Sequence, residues 1–216
     1  MSAIIMPIFS KPIYQQRLQI SRAKIKSVLD FLHSNDFKNL AKNSTKLDIG
    51  DSSHYVLQDE RFKFIGDAIL KEFYIFANNE LKHTCDWQFT SSWFVKLNNG
   101  DEGSFHTHNN SIYSGVYYLD TSENCGNITF TNYDNQRLAF EHSEYNLLNT
   151  RNWTIQPESE NVVFFPSEVY HRVEQNVSGN VRYSLSFNIM PKGSIQEVDM
   201  SDSIITLVHN FSIFKK

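Results

Sequence analysis

The sequence predicts an α+β protein in which N-terminal helices buttress a two-sheet β-sandwich or jelly roll. Apolar residues recur at helical spacing up to about residue 81, and beyond His83 the period changes to alternation. Turn-forming clusters at Asn98–Gly103 and Asn124–Gly126 help to divide the alternating half into about eight short strands. A length of 216 residues suits one well-buried domain better than two. That single domain, 1–216, divides into a mainly helical part over 1–83, a β core over 84–191 and a tail over 192–216.

Residues 1–14 read as an extended lead-in or an edge strand, because Pro7 and Pro12 lack the N–H a central strand needs. Ser21 is placed to cap a helix running to about Ser34, with Ile25, Val28, Leu29 and Leu32 on one face. Residues 35–58, rich in Asn, Ser, Asp and Gly, read as loop. A longer helix is expected from about Asp59 to Leu81, with Phe62, Ile65, Ile69, Phe73 and Phe76 as its buried stripe. Alternation then assigns Trp87, Phe89, Ser91, Trp93, Val95 and Leu97 to one face of a strand, with Gln88, Thr90, Ser92 and Lys96 opposite. Further strands are expected near 114–119, 127–131, 153–156, 162–165, 170–174 and 181–190. Residues 132–152 are irregular, and their Tyr, Asn and Arg suit a loop bordering a site. Val163, Phe164 and Phe165 read as core, His142 as surface, and Ile204, Ile205, Leu207 and Val208 as a tail packing back.

Composition narrows the function classes. A net charge of −4, from 20 basic and 24 acidic residues, gives no support for a nucleic-acid partner or an acidic membrane surface. Cys85 and Cys125, far apart, can build neither a zinc ribbon nor a disulfide framework, so both are expected as reduced thiols in a cytoplasmic protein. The apolar start has no basic region and is interrupted by proline, unlike a signal peptide. No apolar run approaches the roughly 20 residues of a membrane span.

His106 and His108 stand one residue apart ahead of the run Ser114–Leu119. In extended backbone, residues i and i+2 share a face, so both imidazoles would be presented side by side, as ligands of one metal are. His171 follows the run Val162–Pro166, and Arg182 lies eleven residues further on, a distance that puts it on the next antiparallel strand, facing the same cavity. Neutral imidazole suits iron, zinc, copper or nickel, so the histidines alone do not choose the metal. The helical His-Glu-x-x-His of zinc proteases is absent. A guanidinium in that cavity is a bidentate clamp for a carboxylate.

Three stretches, taken in order, resemble the 2-oxoglutarate/Fe(II) oxygenases, and in particular a bacterial and phage group within them. They are Phe105-His106-Thr-His108-Asn-Asn-Ser with Ser114-Gly-Val-Tyr-Tyr-Leu119, then Val163-Phe-Phe-Pro166 running to His171, then Arg182-Tyr-Ser-Leu-Ser-Phe-Asn188. The resemblance covers roughly residues 87–190. It implies a double-stranded β-helix core (a jelly roll, cupin-like), Fe(II) as metal, 2-oxoglutarate as cosubstrate and O2 as oxidant. Carried over by position, His106 and His171 would ligate the iron, and Arg182, with Ser184, would hold the far carboxylate of 2-oxoglutarate. Asn110 and Tyr117 are further candidates for cosubstrate or substrate, set against an equal case for turn or packing roles. The chain departs from the common pattern at position 108, where most of the superfamily has Asp or Glu. Either His108 completes an all-histidine triad, or His106 and His171 bind iron with water in the vacant place.

Two competing readings share the same residues. A cupin-like metal enzyme without 2-oxoglutarate would use the histidines and leave Arg182 without a role. A non-catalytic β-sandwich would use none of them. The sequence carries no motif for the substrate.

Overall fold

The structure, a computed structural model, describes residues 4–42, 44–133 and 141–192. Its described strands form two antiparallel sheets. The larger contains β1 (Tyr14–Arg17), β7 (Asn161–Pro166), β4 (Tyr113–Asp120), β9 (Arg182–Lys192) and β2 (Asp86–Leu97), in that spatial order. The smaller contains β3 (Gly103–His106), β8 (Tyr170–Val173), β5 (Ile128–Thr131) and β6 (Asn152–Ile155). This is the jelly roll that the alternating half of the sequence leads one to expect.

Alternation along the central strands gives the larger sheet two different faces. On one, Tyr113, Tyr117, Leu119, Val162, Phe164, Tyr183, Leu185, Phe187 and Ile189 join the core beneath α1 (Arg22–Ser34) and α2 (Lys63–Tyr74). On the other, Val116, Tyr118, Val163 and Phe165 meet Ile128, Phe130 and Val169 around the smaller sheet. Such two-sided burial explains why β4 and β7 read as near-continuous apolar runs. Phe73 sits fully buried at the centre of the helical side, edge-on to Trp87, Tyr113 and Phe164 at 5.1–5.3 Å between centroids. Its neighbours are as the phenylalanine stripe requires.

Several elements differ from expectation. The first strand begins at Tyr14, beyond both prolines, and pairs with β7 at the edge of the sheet. Helix α2 starts at Lys63, not Asp59: the carbonyl of Asp59 accepts the N–H groups of Phe62 and Lys63 in a turn that precedes it. The helical path then loosens into a π-helical stretch, Ile75–Glu80. Residues 35–58 are not plain loop. Val56–Gln58 form a 3-10 turn, and isolated bridges join Lys46 to Val95 and Tyr55 to Ser92, laying this segment along β2.

The largest correction concerns β2. Its pairing with β9 runs Phe89 to Ile189 and then Ser91 to Asn188, so Thr90 is one residue too many. A bulge of this kind reverses the facing of everything beyond it. Trp87 and Phe89 therefore pack on the helical side, whereas Ser91, Trp93 and Val95 turn to the opposite face. The expected tail packing of Ile204, Ile205, Leu207 and Val208 lies outside the described residues. Among the described residues no helix is long and apolar enough to cross a membrane.

Candidate metal centre

Between the sheets lies a cavity of about 480 Å³. Its walls are the side of the larger sheet turned away from the helices and the inner side of β3 and β8. From β9 it takes Arg182, Ser184, Ser186 and Asn188, every second residue of the strand. The intervening Tyr183, Leu185, Phe187 and Ile189 belong to the helical core.

His106, His108 and His171 meet at this cavity, each offering a ring nitrogen within 4.8 Å of the others. His106 ends β3 and lies directly opposite His171 on β8 in the antiparallel register. A cross-strand pair brings side chains close, and the ring centroids are 4.4 Å apart. His108 arrives differently from the extended-backbone expectation. The strand stops at His106, and the chain is already leaving the small sheet for the larger one. The N–H of His108 donates to the carbonyl of Ser167 at 3.0 Å, which anchors the residue between the sheets.

Two imidazoles have fixed orientations. The Nδ1–H of His171 donates to the Val169 carbonyl at 2.9 Å, and that of His106 donates to the Ser104 carbonyl at 2.7 Å. A carbonyl can only accept, so both rings carry their proton on Nδ1 and present a bare Nε2. The Nε2 of His108 lies 3.3 Å from the Nε2 of His171. Either His108 donates a proton to that bare nitrogen, or two lone pairs meet on a cation. Burial, reinforced by the neighbouring imidazoles, lowers the pKa of His108 to about 3. Burial lowers that of His171 to about 4. Both are therefore neutral at physiological pH, which is the state a metal ligand needs. Among the described residues the cluster holds no carboxylate, so its donor set there is purely imidazole.

Arg182 is 2% exposed at the start of β9, with its guanidinium 5.7 Å from the ring of Tyr118. Its Nη1 donates to the Gly126 carbonyl at 2.6 Å, and its Nε has no hydrogen-bond partner. Among the described residues it forms no ion pair with a carboxylate. A buried guanidinium is costly unless an anion matches it, so the site fits a ligand carrying a carboxylate. The donor set and this orphaned nitrogen together fit a metal with an oxo-acid beside it.

Ser184 lies in the cavity wall, two residues beyond Arg182. Asn110 and Tyr117 do not line the cavity. Asn110 is exposed in the left-handed turn after His108 (φ 58°), and Tyr117 points into the helical core. Their neighbours Asn109 and Tyr118 occupy the wall instead. Sequence reasoning also missed a polar chain behind the site. Ser114 Oγ contacts Ser167 Oγ and donates to Asn188 Oδ1, both at 2.8 Å, and Asn188 Nδ2 donates to Ser91 Oγ at 2.9 Å. Alternating small polar residues on β9 were the available signal. Lys46 and Trp93 were missed as well, the first for want of any motif and the second because the bulge was invisible.

Residues 91–188, which contain the three histidines and Arg182, match the model of the family described as "Putative 2OG-Fe(II) oxygenase". Over those residues the chain is similar to the 2OG-Fe(II) oxygenases. Solved oxygenase structures share its fold at low identity. The non-haem alpha ketoglutarate dependent epimerase SnoN from nogalamycin biosynthesis is 11% identical, with TM-score 0.61 over 85% of this chain and 77% of that one. A prolyl-4-hydroxylase from Pseudomonas putida is 16% identical, with TM-score 0.56 over 85% and 95%. HygX from Streptomyces hygroscopicus, solved with nickel and 2-oxoglutarate bound, is 11% identical, with TM-score 0.56 over 84% and 82%. No curated protein matches the sequence.

Proposed function

We propose that this protein is a 2OG-Fe(II) oxygenase, which couples oxidative decarboxylation of 2-oxoglutarate, to succinate and CO2, with hydroxylation of a C–H bond in a second substrate. His106, His108 and His171 would hold Fe(II), and Arg182, with Ser184, would hold the far carboxylate of 2-oxoglutarate. The observation that carries the reading is the buried Arg182, which has no carboxylate partner among the described residues, in the same cavity as the three imidazoles. A cupin-like enzyme working without an oxo-acid leaves that guanidinium unexplained.

When bound, the iron and its cosubstrate supply the redox chemistry, activating O2 at the expense of 2-oxoglutarate. The protein's part is placement. The Val169 and Ser104 carbonyls fix two rings in the tautomer that exposes Nε2. The Arg182 guanidinium, immobilised by the Gly126 carbonyl, sets the orientation of the cosubstrate. Phe130 and Phe165 pack around His171 and keep water from that side of the site.

Adding Fe(II) and then 2-oxoglutarate to the metal-free protein under anaerobic conditions tests the reading. Chelation of the metal by the oxo-acid gives a weak visible absorption that neither component shows alone. A saturable band is expected. Bound iron without a band would overturn the cosubstrate assignment, and no bound iron would overturn the metal assignment.

A further inference from the structure

Lys46 reaches the same cavity from the N-terminal segment, outside the residues that match the family. Its backbone is held by a bridge to Val95, and its ammonium sits 3.9 Å from the ring centroid of Trp93. Trp93 in turn stacks on His108, with centroids 6.1 Å apart. The ring covers one side of the ammonium and accepts no ordinary hydrogen bond, so N–H donors remain free. Among the described residues, Lys46 Nζ has no carboxylate partner and no hydrogen bond. Burial lowers its pKa, the mark of a charge taken partly out of water without compensation.

Charge balance in the cavity points the same way. No Asp or Glu is among the described residues lining it. With histidine in place of the usual carboxylate ligand, a divalent metal would keep its whole charge, and the 2-oxoglutarate dianion would be shared between the metal and Arg182. With one carboxylate of the dianion on Arg182 and the other on the metal, the site stays net positive, and Lys46 is the side chain left without an anion in a confined, low-dielectric space.

We infer that Lys46, braced on Trp93, is the recognition site for a carboxylate on the second substrate, making that substrate a small acid. The inference rests on the proposed function for the charge balance and for the identity of this ligand as the substrate. The binding site itself can be tested without metal. The substrate would enter beside His108, with its acid group paired to the ammonium and the remainder directed toward the polar wall of Ser91, Ser186 and Asn188.

The experiment is a titration of the metal-free full chain with sodium acetate at constant ionic strength, read by tryptophan fluorescence. Acetamide serves as the neutral isostere and inorganic phosphate as the alternative acid. Lys46→Met, Lys46→Arg and Trp93→Phe are measured alongside. The expected result is saturable binding of acetate, weakened about tenfold or more in Lys46→Met, as loss of a charge-assisted pair implies. Lys46→Arg should retain most of it, Trp93→Phe should lose the signal, and acetamide should not compete. Equal binding by wild type and Lys46→Met, equal binding of acetamide, or no binding would overturn the inference. Lys46-dependent binding of phosphate in preference to acetate would overturn the carboxylate assignment. These outcomes do not depend on the absorption band of the iron complex, so failure here and failure of the oxygenase reading are distinguishable.

Discussion

The rings of His108 and His171 lie within 5° of parallel, with their Nε2 atoms 3.3 Å apart, although one residue leaves the small sheet and the other is embedded in it. The separation matches two ligands of a single ion, and it is what favours an all-histidine centre over a two-histidine one. Replacing His108 with alanine should therefore weaken Fe(II) binding by at least the roughly 10–100-fold that lesser perturbations of metal sites cost. His106→Ala and His171→Ala should do the same or worse. Anaerobic equilibrium dialysis would decide, and unchanged affinity in His108→Ala would return the two-histidine centre to favour.

Arg182→Leu should separate metal from cosubstrate. Truncating one partner of a buried charge pair costs about 2–4 kcal/mol, or roughly 30–1000-fold in 2-oxoglutarate affinity. Iron binding should be untouched. A thermal-shift series makes the contrast visible, because 2-oxoglutarate added to the Fe(II) protein should raise the melting temperature of wild type and not of the variant.

Gly126 supplies the carbonyl that holds Arg182 from a backbone at φ 91°, pressed against the carbonyl of Glu174. A Cβ there would meet that oxygen in a conformation L-residues avoid. Gly126→Ala should lose about 1–3 kcal/mol of stability in urea unfolding. It should also raise the KM for 2-oxoglutarate, although residue 126 would not itself touch the cosubstrate.

Acid stability should depend on Asp59, which precedes α2. Its carboxylate accepts from the Arg61 side chain and backbone and from Ser52 Oγ. The Arg61 guanidinium, first among these, holds the carboxyl well below the usual range. A carboxyl depressed in the folded state contributes fully above its unfolded pKa, near 4, and loses that contribution as pH falls toward the folded value. Asp59→Asn should thus be less stable than wild type at pH 7. The gap should close on acidification below about pH 4, and a gap independent of pH would discount the charge.

His106, His108, His171 and Arg182 also mark how far the sequence could be read. Periodicity exposed both helices and most strands, because burying one face or both leaves a pattern that composition cannot hide. The histidines and Arg182 were legible for a related reason: their spacing follows from strands that must pair. What escaped was set by single residues or by long-range contact. The short strand β3 ends at His106, short of His108, which the extended-backbone reading put on the same strand, and Tyr117 was placed in the site because nothing local says which side of β4 faces inward. Tyr118 lines the cavity instead. Lys46 sits in a polar stretch with no period at all, and only its bridge to Val95 brings it to the cavity.

The extra residue in β2 has a consequence for how this chain can change. Before Thr90 the odd-numbered residues Trp87 and Phe89 face the helices, and after it Ser91, Trp93 and Val95 face the cavity, with one residue setting the phase between them. Thr90 can be exchanged for many side chains with little effect, whereas deleting it would turn Ser91, Trp93 and Val95 into the helical core and drive Ser92 and Phe94 toward the site. Variation in this strand is therefore permitted in kind and forbidden in number: tolerant of substitution, intolerant of any shift in frame.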